Sequence, residues 1–271
     1  MTIDPGALPR LGQGRAAEVF ALDARRVVKL ARRPGPLAPF EREAAALRAA
    51  AAAGVPVPAV EGVTVIDGRP GLIMARVEGR DLLDVAAARP WRLPALARQF
   101  AAIHAHLTRA DGSGFPGWRE RVLEVLASSP RVPARVRAAA RPHLSALPGG
   151  DRLVHADFHP GNVMMTPAGP VLIDFADVYQ GDPLASHART LVLLELGALP
   201  PGATRAERIL AAAGRRLFAA QYAAAYRRSV PAPPDVARAW RSAAIIERLD
   251  ADIPGERLPL LRALARALRP S

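Results

Sequence analysis

A chain of 271 residues is long enough for two lobes with separate cores or for one large domain, and it needs no covalent staples. It has no cysteine, which excludes a disulfide framework and a thiolate metal site and suits a reducing compartment. Its formal charge of +12 raises nucleic acid as a partner, but the arginines are scattered among Ala and Leu with no basic run or interleaved aromatics. A coding bias toward arginine accounts for that charge, and no nucleic-acid partner is expected.

Along the chain, Leu8 to Leu11, Glu18 to Leu22 and Val27 to Leu30 are short apolar runs punctuated by Gly12, Gly14 and Asp23, as in a small antiparallel sheet. Residues 37–53 read as a helix with Phe40, Ala44, Leu47 and Ala51 at helical spacing, stopped by Gly54 before Pro56 and Pro58. Val60 to Ile66, the turn Asp67-Gly68 and Leu72 to Val77 read as a hairpin. After Glu78-Gly79 come Ala/Leu/Arg-rich helices at 94–109, 118–128, 131–147, 183–196, 204–228 and 234–268. They are interrupted by an island from Leu153 to Phe175, whose runs Val163 to Met165 and Val171 to Ile173 flank the turn Pro167-Ala168-Gly169. The expected class is α+β: a small antiparallel-sheet lobe with one main helix at residues 1–78 and a larger, mostly helical lobe at 79–271. A cleft between two such lobes is where a ligand binds. No apolar run approaches a membrane span, and residues 1–10 carry Asp4 and two prolines in place of an apolar segment. A cytoplasmic protein without a membrane partner is expected.

Two residues occur once each. Lys29 is the one lysine among 37 basic residues, and Asn162 is the one asparagine. A lysine ammonium is a compact charge that fits between phosphate oxygens where an arginine fork does not. An asparagine offers a neutral oxygen to a hard cation. Taken alone, each also has a plainer reading, Lys29 as a snorkelling strand residue and Asn162 as a turn residue after Pro160-Gly161.

Their surroundings bear on the choice. Asp157 and Asn162 lie five apart on one loop, and Asp174 follows a hairpin that can fold it back onto them. Phosphoryl transfer needs a carboxylate for the accepting hydroxyl, which suits Asp157, and oxygen ligands for a metal, which suits Asn162 and Asp174. The run His155-x-Asp157-x-x-x-x-Asn162 with Ile173-Asp174-Phe175 resembles the aminoglycoside phosphotransferase-like family, small-molecule kinases of the protein-kinase-like two-lobe fold. The resemblance extends upstream in order. Leu11-Gly12-Gln13-Gly14 resembles the phosphate-covering loop, Val27-x-Lys29 the strand with the phosphate-holding lysine, Glu43 its helix partner, and the segment from Met74 to Gly79 the connection that meets adenine. It implies ATP and magnesium as cofactors and a small hydroxyl compound as acceptor, in a monomer or homodimer. The alternative is a catalytically inactive, nucleotide-binding regulatory pseudokinase.

The chain departs from the family pattern at three positions. Ala17 stands for a third loop glycine, Ala156 for a glycine, and Ser186 for an expected aspartate. His155 is expected to be architectural, while His159 and Asp177 stay open between site and loop packing. His104 and His106 are expected as ordinary helix residues, and Trp91, Trp118 and Trp240 as packing residues. The short segment between Asp174 and Asp182-Pro183 leaves no peptide platform, which favours a small acceptor. The acidic set Glu247, Asp250, Asp252 and Glu256 is either a trap for a cationic amine or a solvated face.

Overall fold

The computed structural model describes residues 8–197 and 205–268. The first seven residues and Thr204, where the helix at 204–228 is expected to begin, lie outside the described residues.

Five antiparallel strands open the chain: β1 (Arg10–Gln13), β2 (Ala17–Ala21), β3 (Arg26–Ala31), β4 (Val60–Ile66) and β5 (Arg69–Ala75), in the order β1-β2-β3-β5-β4. Local chemistry sets the turns. The Asp23 carboxylate accepts from the backbone amides of Arg25 at 2.8 Å and Arg26 at 2.9 Å and so closes the β2–β3 connection. Asp67 and Gly68 have φ of 50° and 73°, the left-handed pair that a two-residue hairpin turn requires. Strand alternation divides β3 between two faces. Val28 and Leu30 enter a small apolar cluster with Phe20 and Ile66, while Lys29 turns to the opposite face. That face is covered by α1 (Ala38–Ala52), which lies between β3 and β4 in sequence and has proline in its first turn.

The helical part begins with β6 (Arg80–Asp81) and α2 (Leu82–Ala88), whose N-terminus is capped by the Asp81 carboxylate accepting from Asp84 N at 2.8 Å. There follow α3 (Leu93–Leu107), α4 (Trp118–Ser128), α5 (Ala134–Ser145), β7 (Arg152–His155), β8 (Val163–Thr166), β9 (Gly169–Leu172) and β10 (Val178–Gly181). The chain then runs through α6 (Pro183–Leu196), α7 (Arg205–Ser229), α8 (Pro234–Asp250) and α9 (Arg257–Ala267). Strands β6, β8 and β9 form one small antiparallel sheet, and β7 pairs with β10 in another. Gly79 allows the chain to cross from β5 to β6, since a Cβ there would lie 2.5 Å from the Met165 carbonyl oxygen on β8.

Two larger cores hold these elements. One is continuous from α1 (Phe40, Leu47) through Leu72 of β5 to Phe100 of α3, Phe158 and Tyr222, and so joins the sheet to the helices. The other packs α4, α5, α6, α8 and α9 around Trp118 and Trp240, whose rings lie 5.5 Å apart.

Several expectations need correction. The helix at 234–268 is two helices, because Pro254 cannot continue α8 and the turn uses φ of 51° at Asp252 and 83° at Gly255. Helix α2 and strands β6, β7 and β10 are additional to the elements read from the sequence. Trp91 is 75% exposed and belongs to none of the apolar clusters among the described residues. His104, expected as an ordinary helix residue, is fully buried with both ring nitrogens bonded.

Candidate active site

Four elements converge where the first sheet meets the hairpin β8–β9. Val27 and Lys29 alternate onto the same face of β3, and Val27 is in register with Met74 of β5. Glu43 stands on α1 one turn before Leu47 and is buried. The Lys29 ammonium donates to Glu43 Oε1 at 2.7 Å and Oε2 at 3.0 Å, and to Asp174 Oδ1 at 2.7 Å. Burial alone lowers the lysine pKa. The two carboxylates outweigh that effect and raise it above the ordinary value, so the ammonium is charged. Burial likewise raises Glu43, and Lys29 offsets part of the rise. Asp174 is shifted the other way: burial raises it, but Lys29 prevails and its pKa is lowered.

Asp174 follows β9 with φ of 63°, a left-handed conformation uncommon outside glycine. The β8–β9 register returns it to Asn162, because Val163 faces Leu172 and the Ile173 amide donates to the Asn162 carbonyl at 2.9 Å. Asn162 is buried, and its amide nitrogen donates to the Asp157 carbonyl at 2.9 Å and approaches Asp157 Oδ2 at 3.5 Å. The nitrogen is therefore committed to the loop, which leaves the amide oxygen as the group Asn162 can offer to a ligand.

Asp157 is partly exposed, and His159 Nε2 lies 3.5 Å from Oδ2 of its carboxylate. Burial raises its pKa, but His159, His155 and Arg189 together bring it below the ordinary carboxylate range. His155 is buried. Its Nδ1 accepts from the Asp157 amide at 3.2 Å, and its ring meets Phe175 edge-on at 4.9 Å, so it ties the Asp157 loop to the residue after Asp174. Burial pushes its pKa down, consistent with a neutral, architectural ring.

Gly12 lies near the end of β1, paired with Val19 of β2, and Gly14 on the β1–β2 connection, where Gly14 N donates to Ala17 O at 2.8 Å. A Cβ at Gly12 would meet nothing within 4 Å, so the protein's own packing gives no reason for glycine there. The structure thus brings Lys29, Glu43 and Asp174 into direct contact, and Asp157 with Asn162 into a second contact joined to the first through Ile173. The Lys29–Asp174 contact is a link the sequence reading lacked, since the two residues are 145 positions apart.

A magnesium-type site suits this donor set. One amide oxygen and one carboxylate are hard oxygen donors, and Mg²⁺ is commonly held by one or two carboxylates with substrate phosphates completing its shell. No group of three or more His, Asp or Glu among the described residues gathers into a cage that would hold a metal by itself.

The acidic set on and after α8 has a different environment from the one considered in the sequence. Arg189 Nη1 lies 2.9 Å from Glu247, Arg121 is 3.1 Å from Asp250, Arg131 is 3.0 Å from Asp252, and Arg248 clasps both Glu256 oxygens at 2.6 and 2.8 Å. These carboxylates are neutralised from other elements or from α8 itself. Glu247 and Glu256 are largely withdrawn from water.

A sequence model of the phosphotransferase enzyme family matches residues 7–226. Among curated proteins none matches the chain significantly in sequence. Among solved structures the chain is similar to APH(2″)-IIa in a ternary complex with streptomycin and ATP, with 18% identity, TM-score 0.64 and coverage of 96% of this chain and 92% of that one. It is also similar to the amicoumacin kinase hAmiN bound to AMP-PNP, Ca²⁺ and Ami, with 16% identity, TM-score 0.60 and coverage of 98% and 89%. A choline/ethanolamine kinase family protein from Mesorhizobium loti has 20% identity, TM-score 0.57 and coverage of 97% and 87%. At these identities the likeness to the solved structures is one of fold.

Proposed function

The chain belongs to the phosphotransferase enzyme family, and from that premise we propose that it transfers the γ-phosphate of ATP to a hydroxyl of a small molecule with the help of magnesium. The observation that carries this reading is the Lys29 ammonium held between Glu43 and Asp174 beside the loop on which Asn162 is fastened to Asp157. We place the division between the lobes at 78/79, where Gly79 passes close to β8.

In this reading Lys29, steadied by Glu43, binds the α- and β-phosphates. Gly12 at the end of β1 and Gly14 on the β1–β2 connection let the backbone approach them, and Val27 and Met74 line the adenine slot. Asn162 and Asp174 hold the metal, which when bound neutralises charge on the phosphates. Asp157 orients the accepting hydroxyl and takes its proton. Its low pKa makes it a weak base, which is adequate because the transition state of phosphoryl transfer is loose and asks mainly for positioning.

The paired carboxylates on and after α8 bear on the acceptor. With an arginine on each, they offer little uncompensated negative charge to a polycationic antibiotic. Of the acceptors in range, aminoglycoside-like antibiotics and hydroxylated metabolites, the metabolites with one or no ammonium group fit better. A pseudokinase reading gains no support from the site, since Lys29, Asp157, Asn162 and Asp174 are all present.

Asp157→Ala is expected to abolish phosphotransfer, measured as ADP release across a panel of hydroxyl compounds, while nucleotide affinity by calorimetry changes less than about threefold. Turnover retained in that variant would overturn the role given to Asp157.

A further inference from the structure

Helix α6 reaches the Asp157 loop from beneath at two points. Ser186 and Arg189, three residues apart, lie on the same side of the helix. Ser186 Oγ donates to the His155 carbonyl at 3.2 Å, and Arg189 Nε donates to the next carbonyl, that of Ala156, at 2.9 Å. The neighbouring backbone groups are also engaged: Ala156 N donates to Asp177 O at 2.9 Å, Asp157 N to His155 Nδ1, and Asp157 O accepts from Asn162. The two carbonyls immediately before Asp157 are therefore fixed by side chains of a single helix.

Ser186 does not stand alone. His104 Nε2 lies 2.7 Å from its hydroxyl, His104 Nδ1 lies 2.7 Å from Tyr222 OH, and His187 Nδ1 lies 2.9 Å from the same phenol. The direction of every bond follows from the carbonyl end, because a carbonyl can only accept. The single Ser186 proton goes to His155 O, so His104 must donate through Nε2–H. A neutral His104 then accepts at Nδ1 the single proton of Tyr222, and the Tyr222 oxygen accepts Nδ1–H of His187. One tautomer of each histidine satisfies the whole chain. All four residues are buried, where a consistently oriented run of hydrogen bonds is mutually reinforcing.

We infer that Ser186 and Arg189 are positioning residues for Asp157, clamping the backbone before it at two consecutive carbonyls, and that His104 and Tyr222 act through Ser186 by fixing the direction of its hydroxyl. The catalytic role of Asp157 rests on the function proposed above; the clamp on the loop does not. The departure at Ser186 thus has a structural counterpart. A hydroxyl backed by two histidines and a tyrosine stands where the family resemblance leads one to expect a carboxylate.

The test separates positioning from general damage and from the functional reading. Ser186→Ala, Ser186→Thr and Tyr222→Phe are compared with the unaltered chain by thermal unfolding, by steady-state kinetics and by hydrogen exchange at the amides of residues 156–158 in the unliganded protein. Ser186→Ala is expected to lower kcat at least tenfold with KM for ATP changed less than twofold, and to speed exchange in the loop at least tenfold. Ser186→Thr, which keeps the hydroxyl, restores kcat to within about threefold, and Tyr222→Phe gives an intermediate loss in both readouts. Unchanged loop exchange in folded Ser186→Ala, or a kcat loss that threonine does not rescue, overturns the proposal. So does a uniform increase in exchange across the helices. Should Ser186→Ala not fold, Tyr222→Phe decides on the same two readouts, because it removes one hydroxyl and keeps the ring. If Asp157→Ala retains turnover, the functional reading fails, while loop exchange still reports on the clamp.

Discussion

Replacing Lys29 with arginine is a conservative change in a chain that uses arginine for all its other basic side chains, yet the site is built for an ammonium. The Lys29 nitrogen makes three contacts of 2.7 to 3.0 Å to two carboxylates from a single point. A guanidinium keeps the charge and can pair side-on with Glu43, but its donors diverge in a plane and do not converge on Asp174 and a phosphate together. Losing one charge-assisted hydrogen bond costs about 1.5 to 3 kcal/mol. If that loss falls on the transition state, kcat/KM for ATP drops by roughly 10- to 150-fold. Folding stability is expected to change little, because Glu43 keeps a cation. Lys29→Met, by contrast, leaves Glu43 buried without one and is expected to cost about 3 kcal/mol or more of stability. Coupled ADP-release kinetics together with urea denaturation of both variants separate the two effects. An arginine variant within twofold of the unaltered kcat/KM refutes the argument.

Phe100 is fully buried against Phe158 at 4.4 Å and Tyr222 at 5.2 Å, so Phe100→Ala is expected to cost about 3 to 5 kcal/mol in chemical denaturation. Burial lowers the His187 pKa from 6.5 to about 4. Between those values the unfolded chain binds a proton that the folded chain refuses, so this contribution is complete above pH 6.5 and is lost as pH falls toward 4, by roughly 3 kcal/mol in all. Denaturation curves across that range should therefore fall less steeply in His187→Gln than in the unaltered chain, and equal slopes would contradict the assignment. Gly79→Ala places a Cβ against the Met165 carbonyl and is expected to lower Tm by several degrees, since about 1 kcal/mol of strain shifts a chain of this size by a few degrees.

Elements with chemical markers at their ends were legible in the sequence. Asp67-Gly68 marked the β4–β5 hairpin, and Asp182-Pro183 marked the start of α6, where the Asp182 carboxylate accepts from Leu184 N at 2.7 Å. Two members of the candidate cluster stood out as well, because one lysine and one asparagine are set against an otherwise depleted background, and the structure places Lys29 against Asp174 and Asn162 against Asp157. What escaped was information carried by pairing across long separations. Strand β10 is four residues whose order depends on β7, and neither shows its partner locally. His104 read as one more helix residue because its partners, Ser186 and Tyr222, lie 82 and 118 positions away. The carboxylates on and after α8 read as an amine trap or a solvated face because Arg121, Arg131 and Arg189, which reach them, come from other parts of the fold.

The core that runs unbroken from α1 through Leu72 to Phe100 and Phe158 has a mechanical consequence. Glu43 and the Asp157 loop rest on the same packed mass, so they cannot separate without opening apolar surface to water. Strand β2, to which β1 is paired, leans instead on the small cluster of Phe20, Val28, Leu30 and Ile66, which is separate from that mass. Opening the β1–β2 connection therefore exposes less apolar surface than separating Glu43 from the Asp157 loop. If the proposed function holds, the part of the site that would cover the phosphates rests on a separate, smaller support from the part that would position the accepting hydroxyl.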